Sequence, residues 1–129
     1  MNGISERPIS QSVVCVVDGD PAVRDSLQYL CDSNGHSAMG FATQAAFLRM
    51  LDDVREVFPK CVICEAQLPD GSGVELYQTL KQRGVVLPFA LMVSRSSVRA
   101  GYLARRVGIE YVWPKPLVDR SPLIAFLSG

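Results

Sequence analysis

Short apolar runs alternate along this chain with longer segments whose apolar residues recur at helical spacing. The runs predict five strands, at residues 12–17, 36–40, 60–64, 88–93 and 110–113. The segments that follow them predict five helices, at residues 21–33, 43–53, 74–82, 96–107 and 122–127. Continuous apolar strands such as Val13–Val17 are typical of a parallel sheet covered on both faces. The alternation therefore predicts an α/β fold, a doubly wound (βα)5 three-layer sandwich.

The length of 129 residues corresponds to one domain, and we expect a flexible leader at residues 1–11 before a domain at residues 12–129. The 13 basic and 13 acidic residues give a net charge of 0. This balance argues against direct nucleic-acid contact, because phosphate binding needs an excess of cations. The sequence has neither an apolar run of the roughly 18–20 residues that span a bilayer nor a secretory signal. We therefore expect a cytoplasmic protein that does not contact a membrane.

The four cysteines are expected to be buried thiols. Cys61 and Cys64 have the spacing of a redox motif, but they fall in a predicted strand, where their Cα atoms would lie about 10 Å apart on opposite faces. A disulfide requires Cα atoms within about 7 Å of each other. Reduced core thiols are typical of the cytosol. The single histidine, His36, argues against a zinc cluster.

Charged residues follow three of the predicted strands. Asp18 and Asp20 come after the first strand, Glu65 after the third and Lys115 after the fifth. In a doubly wound sheet the carboxyl ends of the strands meet at the edge where sites form. Carboxylates suit Mg²⁺, and a lysine can hold a phosphoryl oxygen. The alternative is that these residues only solvate the strand ends, with Asp20 capping the next helix.

Three segments carry a resemblance to a known family. They are residues 16–27 (Val-Val-Asp-Gly-Asp-Pro-Ala-Val-Arg-Asp-Ser-Leu), residues 68–76 (Leu-Pro-Asp-Gly-Ser-Gly-Val-Glu-Leu) and the pair Lys115-Pro116. In order and separation they resemble the receiver domain of bacterial two-component response regulators, over roughly Val13 to Leu127. The resemblance implies a flavodoxin-like parallel sheet with strand order 2-1-3-4-5 and a cis peptide bond before Pro116. It also implies Mg²⁺-assisted phosphoryl transfer from a histidine kinase to an aspartate that ends strand 3. It favours receivers that precede a DNA-binding helix-turn-helix domain.

Compared residue by residue with the family's pattern, this sequence differs at the phosphorylation site. The phosphoacceptor position is Glu65 instead of aspartate. Gly19 occupies the position of the second acid after strand 1, which is the direct metal ligand in the family. Asp18 and the phosphate-site Lys115 match the pattern. A Mg²⁺ site formed by Asp18, Glu65 and Gln67 is therefore expected to be weak or absent, and no other cofactor is expected.

The switch positions also differ from the pattern. Val93, with Ser94 beside it, stands where the family has a hydroxyl residue, and Val112 stands where it has an aromatic residue. Valine cannot donate a hydrogen bond to a phosphoryl oxygen. These changes together favour a degenerate, phosphorylation-deficient receiver that acts as a protein–protein signalling module and not as an enzyme. Glu65 would then either imitate the charge of an acyl phosphate or be a remnant that pairs with Lys115 for stability.

Two alternatives stay open. In the first, the receiver is phosphorylated on Glu65 or Asp70, with Mg²⁺ bound by Asp18 and Asp20, and regulates an attached or separate DNA-binding output. In the second, the altered acidic pocket binds a different ligand, although the sequence contains no nucleotide, sugar or haem motif.

The predicted fourth helix carries candidate interface residues. One exposed stripe is expected to contain Arg95, Arg99, Tyr102 and Arg106. The buried face is expected to contain Ala100, Leu103, Ala104 and Val107. Tyr111 and Trp113 add aromatic side chains on the fifth strand, which Pro114 predicts to be an edge strand. The stripe would contact a histidine kinase, another signalling protein or a second copy of the chain, and the alternative is a solvated face.

Overall fold

A five-stranded parallel sheet forms the centre of the molecule. The computed structural model describes residues 11–53 and 57–129. The strands of the sheet are β1 (Gln11–Val17), β2 (Ala38–Phe41), β3 (Val57–Glu65), β4 (Phe89–Val93) and β5 (Tyr111–Pro114). Every neighbouring pair is parallel, and the order across the sheet is β2-β1-β3-β4-β5. The predicted flavodoxin-like fold and strand order are confirmed, with β5 at an edge.

Five helices cover the two faces of this sheet. They are α1 (Pro21–Ser33), α2 (Gln44–Asp52), α3 (Gly73–Gln82), α4 (Val98–Val107) and α5 (Ser121–Ser128). A two-residue antiparallel ladder between Gln67–Leu68 and Gly71–Ser72 forms a small hairpin before α3, between the third predicted strand and the third predicted helix. No helix among the described residues is long and apolar enough to cross a membrane.

Alternating strand residues build two separate cores. On one face, Cys15, Val17 and Cys64 pack with residues of α2, α3 and α4, among them Phe47, Leu76 and Ala104. On the other face, Val16, Ile63 and Trp113 pack with residues of α1 and α5, among them Leu27, Leu123 and Phe126. The period of two follows from the pleat of a strand. Because both faces are covered, the central strands are apolar at successive positions.

The cysteines follow the same alternation. Cys61 faces the core with α1 and α5, whereas Cys64 faces the opposite core. All four thiols are free and buried. Burial raises the pKa of the Cys31 thiol to about 11 and the pKa values of Cys15 and Cys61 to about 12, which keeps these thiols protonated. The expectation of buried thiols is confirmed.

Side-chain caps fix where three helices begin. The Asp20 carboxylate accepts the N–H of Ala22 at the start of α1, and Thr43 Oγ1 accepts the N–H of Ala46 in α2. At α3, Ser72 and Glu75 form a reciprocal capping box. These caps explain why the helices begin within one residue of the positions predicted from the sequence.

Several predicted boundaries were wrong. Residues 1–10 of the predicted leader lie outside the described residues, but Gln11 already belongs to β1. Strand β2 begins at Ala38 instead of residue 36, and β3 extends over nine residues.

Helix α4 begins at Val98, because residues 95–97 form a 3₁₀ turn in which the Ser94 N–H donates to Ser97 Oγ. Leu103 was expected in the core, yet it is 51% exposed because α4 turns this position away from the sheet.

Two helix glycines face the sheet at different distances. A Cβ atom on Gly73 would lie 2.4 Å from Leu91 Cδ1 and 2.6 Å from the Glu65 carbonyl oxygen, so α3 can begin this close to β3 only without a side chain there. A Cβ atom on Gly101 of α4 would lie 3.6 Å from Val112 Cγ1, which is an ordinary contact.

These distances predict opposite effects for the same substitution. Gly73→Ala should lower the free energy of unfolding by about 1–3 kcal/mol through overpacking. Gly101→Ala should raise it by about 0.5–1 kcal/mol, since alanine is the better helix former and the space is open. Urea unfolding monitored by the fluorescence of Trp113 measures both changes. Equal destabilisation by the two variants would contradict this account of α4.

Candidate functional site

The carboxyl ends of three parallel strands bring Asp18, Glu65 and Lys115 together. Asp18 follows β1, Glu65 ends β3, and Lys115 follows β5. Strands β1 and β3 are neighbours with Val17 opposite Cys64, so their ends are level. The N–H of Lys115 donates to the carbonyl of Val93 at 2.8 Å, which ties the lysine to the end of β4. The peptide bond between Lys115 and Pro116 is cis, as the resemblance implied.

The Lys115 ammonium is shared between two carboxylates. Its Nζ donates to Asp18 Oδ2 at 2.9 Å and forms a short contact with Glu65 Oε1. The other oxygen of Asp18, Oδ1, accepts the N–H of Asp20 at 2.8 Å. Asp18 is 1% exposed, and the guanidinium of Arg24 donates to its backbone carbonyl at 2.7 Å. Asp18 is thus held from several sides, and no sequence signal identified the contribution of Arg24.

Two carboxylates and one ammonium leave this cluster with an excess negative charge. Burial raises the pKa of Glu65, and the neighbouring Asp18 carboxylate acts in the same direction, so together they outweigh the opposing attraction of Lys115. Burial alone would lower the pKa of Lys115, but its hydrogen bonds to Glu65 and Asp18 raise the pKa overall. The pKa values of Glu65 and Lys115 are both raised, and these shifts are consistent, because one ammonium cannot fully neutralise two acids.

Two other predicted acids cap helices. The carboxylate of Asp20 is the cap of α1 described above. Asp70 accepts the N–H groups of Gln44 and Ala45, each at 3.0 Å, and so holds the hairpin against the N-terminus of α2. This contact of Asp70 was not foreseen, because it joins residues 25 and 26 positions apart. Both carboxylates are positioned to satisfy helix N–H groups.

Gly19 lies directly beneath the ring of Pro69. A Cβ atom at residue 19 would be 3.0 Å from Pro69 Cγ and 3.1 Å from Cδ, closer than ordinary side-chain contacts. The space into which an acid at this position would extend is therefore bordered by the hairpin loop. The sequence showed the missing acid but not the approach of Pro69.

The switch positions form apolar packing beneath α4. Val93 and Val112 are half-buried and pack against the same core. One γ-methyl group of each valine, Cγ1, faces Gly101. The hydroxyl of Ser94 lies 3.0 Å from Ser96 Oγ and 3.2 Å from Ser97 Oγ, within the 3₁₀ turn. The end of β4 is thus joined to α4 by methyl contacts and by a small serine network.

A cavity of about 650 Å³ opens beside the cluster. Its apolar wall comes from Val23, Leu27 and Leu30 of α1, together with Leu117. Glu65 and Lys115 border it, and so does Gln67, which is exposed in the hairpin. The cluster is therefore reachable from solvent along α1.

The predicted interface residues separate into two groups. Arg99, Tyr102 and Arg106 are exposed on α4, and Tyr111 is 41% exposed on β5. Arg95 is exposed too, but it lies in the 3₁₀ turn. Trp113 was wrongly predicted as an interface residue: it is 5% exposed and packs edge-on against Phe126 of α5 with ring centroids 5.2 Å apart. On a four-residue edge strand, the side that each residue faces is set by pairing with β4.

Comparison with known proteins agrees with this geometry. The sequence model of the response regulator receiver domain matches residues 14–127. The chain belongs to this family. Receiver domains are signalling modules that interact with histidine kinases, and here Asp18, Glu65 and Lys115 occupy the edge of the sheet at which this fold places its site.

Relatives and solved structures extend over most of the chain. The transcriptional regulatory protein FixJ of Azorhizobium caulinodans is 30% identical over 112 residues, which are 87% of this chain and 52% of that protein. The response regulator protein TmoT of Ectopseudomonas mendocina is 27% identical over 92% of this chain and 53% of its own length. The structure of full-length FixJ from B. japonicum matches with a TM-score of 0.79 at 28% identity, covering 92% of this chain and 57% of that one. The chain spans about half the length of the curated relatives it matches.

The raised pKa of Glu65 predicts a pH dependence of stability. Since the folded state favours protonated Glu65, its contribution to stability is present below pH 4.5 and is lost as the pH rises through the raised pKa. Glu65→Gln should remove this loss, so the variant should gain stability relative to the parent over the pH range that begins at 4.5 and extends upward through the raised pKa. Urea unfolding across this range measures the difference, and Glu110→Gln, at an exposed position, is the control. If the free energy of unfolding depended on pH in the same way for Glu65→Gln and for the parent, the electrostatic account would be wrong.

Proposed function

We propose that this receiver domain transmits a signal through protein–protein contacts without receiving a phosphoryl group. The observation that carries the proposal is the Lys115 ammonium, which is already bound by Glu65 and Asp18. The lysine that would hold a phosphoryl oxygen is thus satisfied by the chain's own carboxylates. We infer a signalling role in a two-component pathway and no enzymatic activity.

The length of Glu65 supports loss of phosphotransfer. Glutamate carries its carboxylate one methylene further from the backbone than aspartate, a difference of about 1.5 Å. Phosphoryl transfer depends almost entirely on positioning and electrostatics, and a displacement of about 1 Å can cost roughly a hundredfold in rate. The extra length carries the Glu65 carboxylate to Lys115, where it forms an ion pair.

The carboxylates fit Mg²⁺ poorly. Magnesium requires near-octahedral oxygen ligands and is usually bound through one or two carboxylates. Both oxygens of Asp18 already accept hydrogen bonds, Glu65 is paired with Lys115, and Gly19 offers no side chain. Among the described residues, no group of three or more His, Cys, Asp and Glu side chains is placed to hold a metal ion.

The switch positions support a single, fixed state. A hydroxyl residue and an aromatic residue respond to the phosphoryl group in the family, but here both positions are valines packed against α4. A carboxylate brings about half the charge of a phosphate group. We propose that the ion pair of Glu65 with Lys115 imitates part of that charge and holds the site in one arrangement.

The relatives suggest the output of the signal. FixJ is a transcriptional regulatory protein, and TmoT is a response regulator protein. We propose that this domain contributes to control of transcription through an attached or separate DNA-binding partner, and that a kinase or other signalling protein contacts it in the cytoplasm. The free thiols are compatible with that compartment.

Chemical phosphorylation tests the proposal without a partner protein. Incubation with acetyl phosphate or phosphoramidate and Mg²⁺ should give no stable acyl phosphate, because acceptor, metal ligand and hydroxyl residue are all changed. Intact-mass measurement under mild conditions reports any added phosphoryl group. A labelled Glu65 or Asp70 would overturn the proposal and support the phosphorylatable alternative.

Restoring the family pattern provides the positive control. Gly19→Asp, Glu65→Asp and Val93→Thr together rebuild the three changed groups. Since Pro69 lies against residue 19, Pro69→Ala should be added to make room for the new side chain. The fourfold variant should acquire the phosphoryl label, and the triple variant should acquire less. A folded fourfold variant that stays unlabelled would show that other losses matter.

Metal titration gives an independent measurement. Mg²⁺ should bind weakly or not at all to the parent, and amide shifts near Asp18 should not saturate at low-millimolar metal. Asp18→Ala is the control for any shift observed. A saturable change in the parent that Asp18→Ala abolishes would contradict the expected loss of the metal site.

A further inference from the structure

We infer that the cavity along α1 binds a small organic carboxylate with an apolar body. The inference goes beyond the proposed function, because it concerns a small molecule and does not depend on whether a phosphoryl group is received. The cavity, called the α1 cavity below, has a volume of about 650 Å³. Small-molecule sites in proteins usually have volumes of roughly 300–1,000 Å³. Its size therefore suits a compact organic ligand.

One stripe of α1 makes the wall of the α1 cavity apolar. Val23, Leu27 and Leu30 line it and recur at helical spacing. Leu27 is 4% exposed, whereas Val23 and Leu30 are only half-buried against the core with α5. Leu117, in the loop after β5, lines the cavity too and is also half-buried. An apolar ligand would remove from water the side-chain surface that the fold leaves accessible here.

Met92 of β4 contributes the part of the lining that belongs to the sheet. This side chain is 3% exposed and lines the α1 cavity. Methionine is unbranched and flexible, so it fills irregular spaces and adjusts to neighbours of different shape. The cavity therefore fits apolar bodies of a class, alkyl or aromatic, instead of one exact shape.

One charged side chain of the α1 cavity has no partner of opposite charge among the described residues. Glu65, Lys115 and Arg120 line the cavity. Glu65 and Lys115 form an ion pair with each other, whereas none of the ion pairs of the described residues includes Arg120. The adjacent Asp119 carboxylate accepts the N–H of Ser121. A guanidinium binds a carboxylate through two parallel hydrogen bonds, so charge complementarity indicates a carboxylate as the head group.

The neighbouring acidic cluster disfavours other charged head groups. Both oxygens of Asp18 already accept hydrogen bonds, and Glu65 is paired with the Lys115 ammonium, which would repel an organic amine. A phosphate monoester carries about twice the charge of a carboxylate. The excess negative charge of the cluster repels it correspondingly more strongly. A single negative charge at Arg120 is therefore the best match.

Two uncharged polar groups complete the lining. The hydroxyl of Ser26 and the amide of Gln67 border the same cavity, and both residues are exposed. Each can donate a hydrogen bond to a ligand oxygen. A few polar groups on a mainly apolar wall are usual for small-molecule sites, where they orient the ligand. The bound carboxylate would thus face Arg120, with its apolar body between α1 and Leu117.

Three compounds with the same apolar body test this assignment on the whole chain. Phenylbutyrate carries a carboxylate, phenylbutanol is uncharged, and phenylbutylamine is a cation. In NMR titrations phenylbutyrate should give saturable amide shifts at Leu27, Leu30 and Arg120. The Kd should be about 1 mM or lower, as expected for a ligand of roughly 12 non-hydrogen atoms. Phenylbutanol should bind about threefold more weakly or worse, and phenylbutylamine most weakly.

Variants separate the head-group contact from the apolar contact. Arg120→Gln should weaken phenylbutyrate binding by about threefold to fivefold, the upper range for an exposed ion pair, and leave phenylbutanol unchanged. Ser26→Phe should weaken binding of all three compounds, because the ring occupies part of the cavity. Arg49→Gln removes the same charge from an exposed position on α2, so each Kd should stay within about twofold of the parent value. Since the changed residues are exposed, all three variants should unfold at nearly the temperature of the parent.

Four results would overturn the inference. The first is the absence of saturable phenylbutyrate shifts at these amides. The second is a phenylbutyrate Kd that Arg120→Gln leaves unchanged or that Arg49→Gln weakens equally. The third is tighter binding of phenylbutylamine than of phenylbutyrate, which would show that the acidic cluster selects the ligand. The fourth is a shift of the same amides with protein concentration alone, which would show that a second copy of the chain occupies the cavity.

Discussion

One ammonium group at the carboxyl edge of the sheet holds three strand ends together. Lys115 follows β5 and binds the carboxylate of Asp18 after β1 and that of Glu65 at the end of β3. Asp18 is almost fully buried, and a buried charge that loses its partner costs several kcal/mol. The position of this lysine therefore constrains the loops after β1, β3 and β5 at the same time.

The same lysine connects the site to helix α4. Its N–H binds the carbonyl of Val93, and the side chain of Val93 lies under Gly101 of α4 together with Val112. A change at the acidic cluster would thus reach α4 through two short strands and a set of methyl contacts. Where Lys115 is held by the chain's own carboxylates, we expect this connection to keep α4 in one position, which suits a fixed binding surface.

Alternation of strands and helices predicted the parallel sheet and the meeting of Asp18, Glu65 and Lys115, because it determines which loops share an edge. The order of the strands was implied by the family resemblance. The sequence did not predict contacts that depend on the exact packing of loops. Asp70 caps α2 across more than twenty residues, and Pro69 covers Gly19, and neither contact follows from local pattern. Trp113 was misplaced because a four-residue edge strand has too few positions for its alternation to be read from sequence alone.

A net charge of 0 conceals two different uses of charge in this molecule. At the strand ends, Lys115 is neutralised within the chain by two acids and has little attraction left for another molecule. On α4 and the 3₁₀ turn before it, four arginines occur with no aspartate or glutamate between them. Long-range attraction of a partner depends on charge that the fold leaves uncompensated. The lysine of the site that defines the family is therefore paired within the chain, whereas none of these four arginines forms an ion pair with an acid among the described residues.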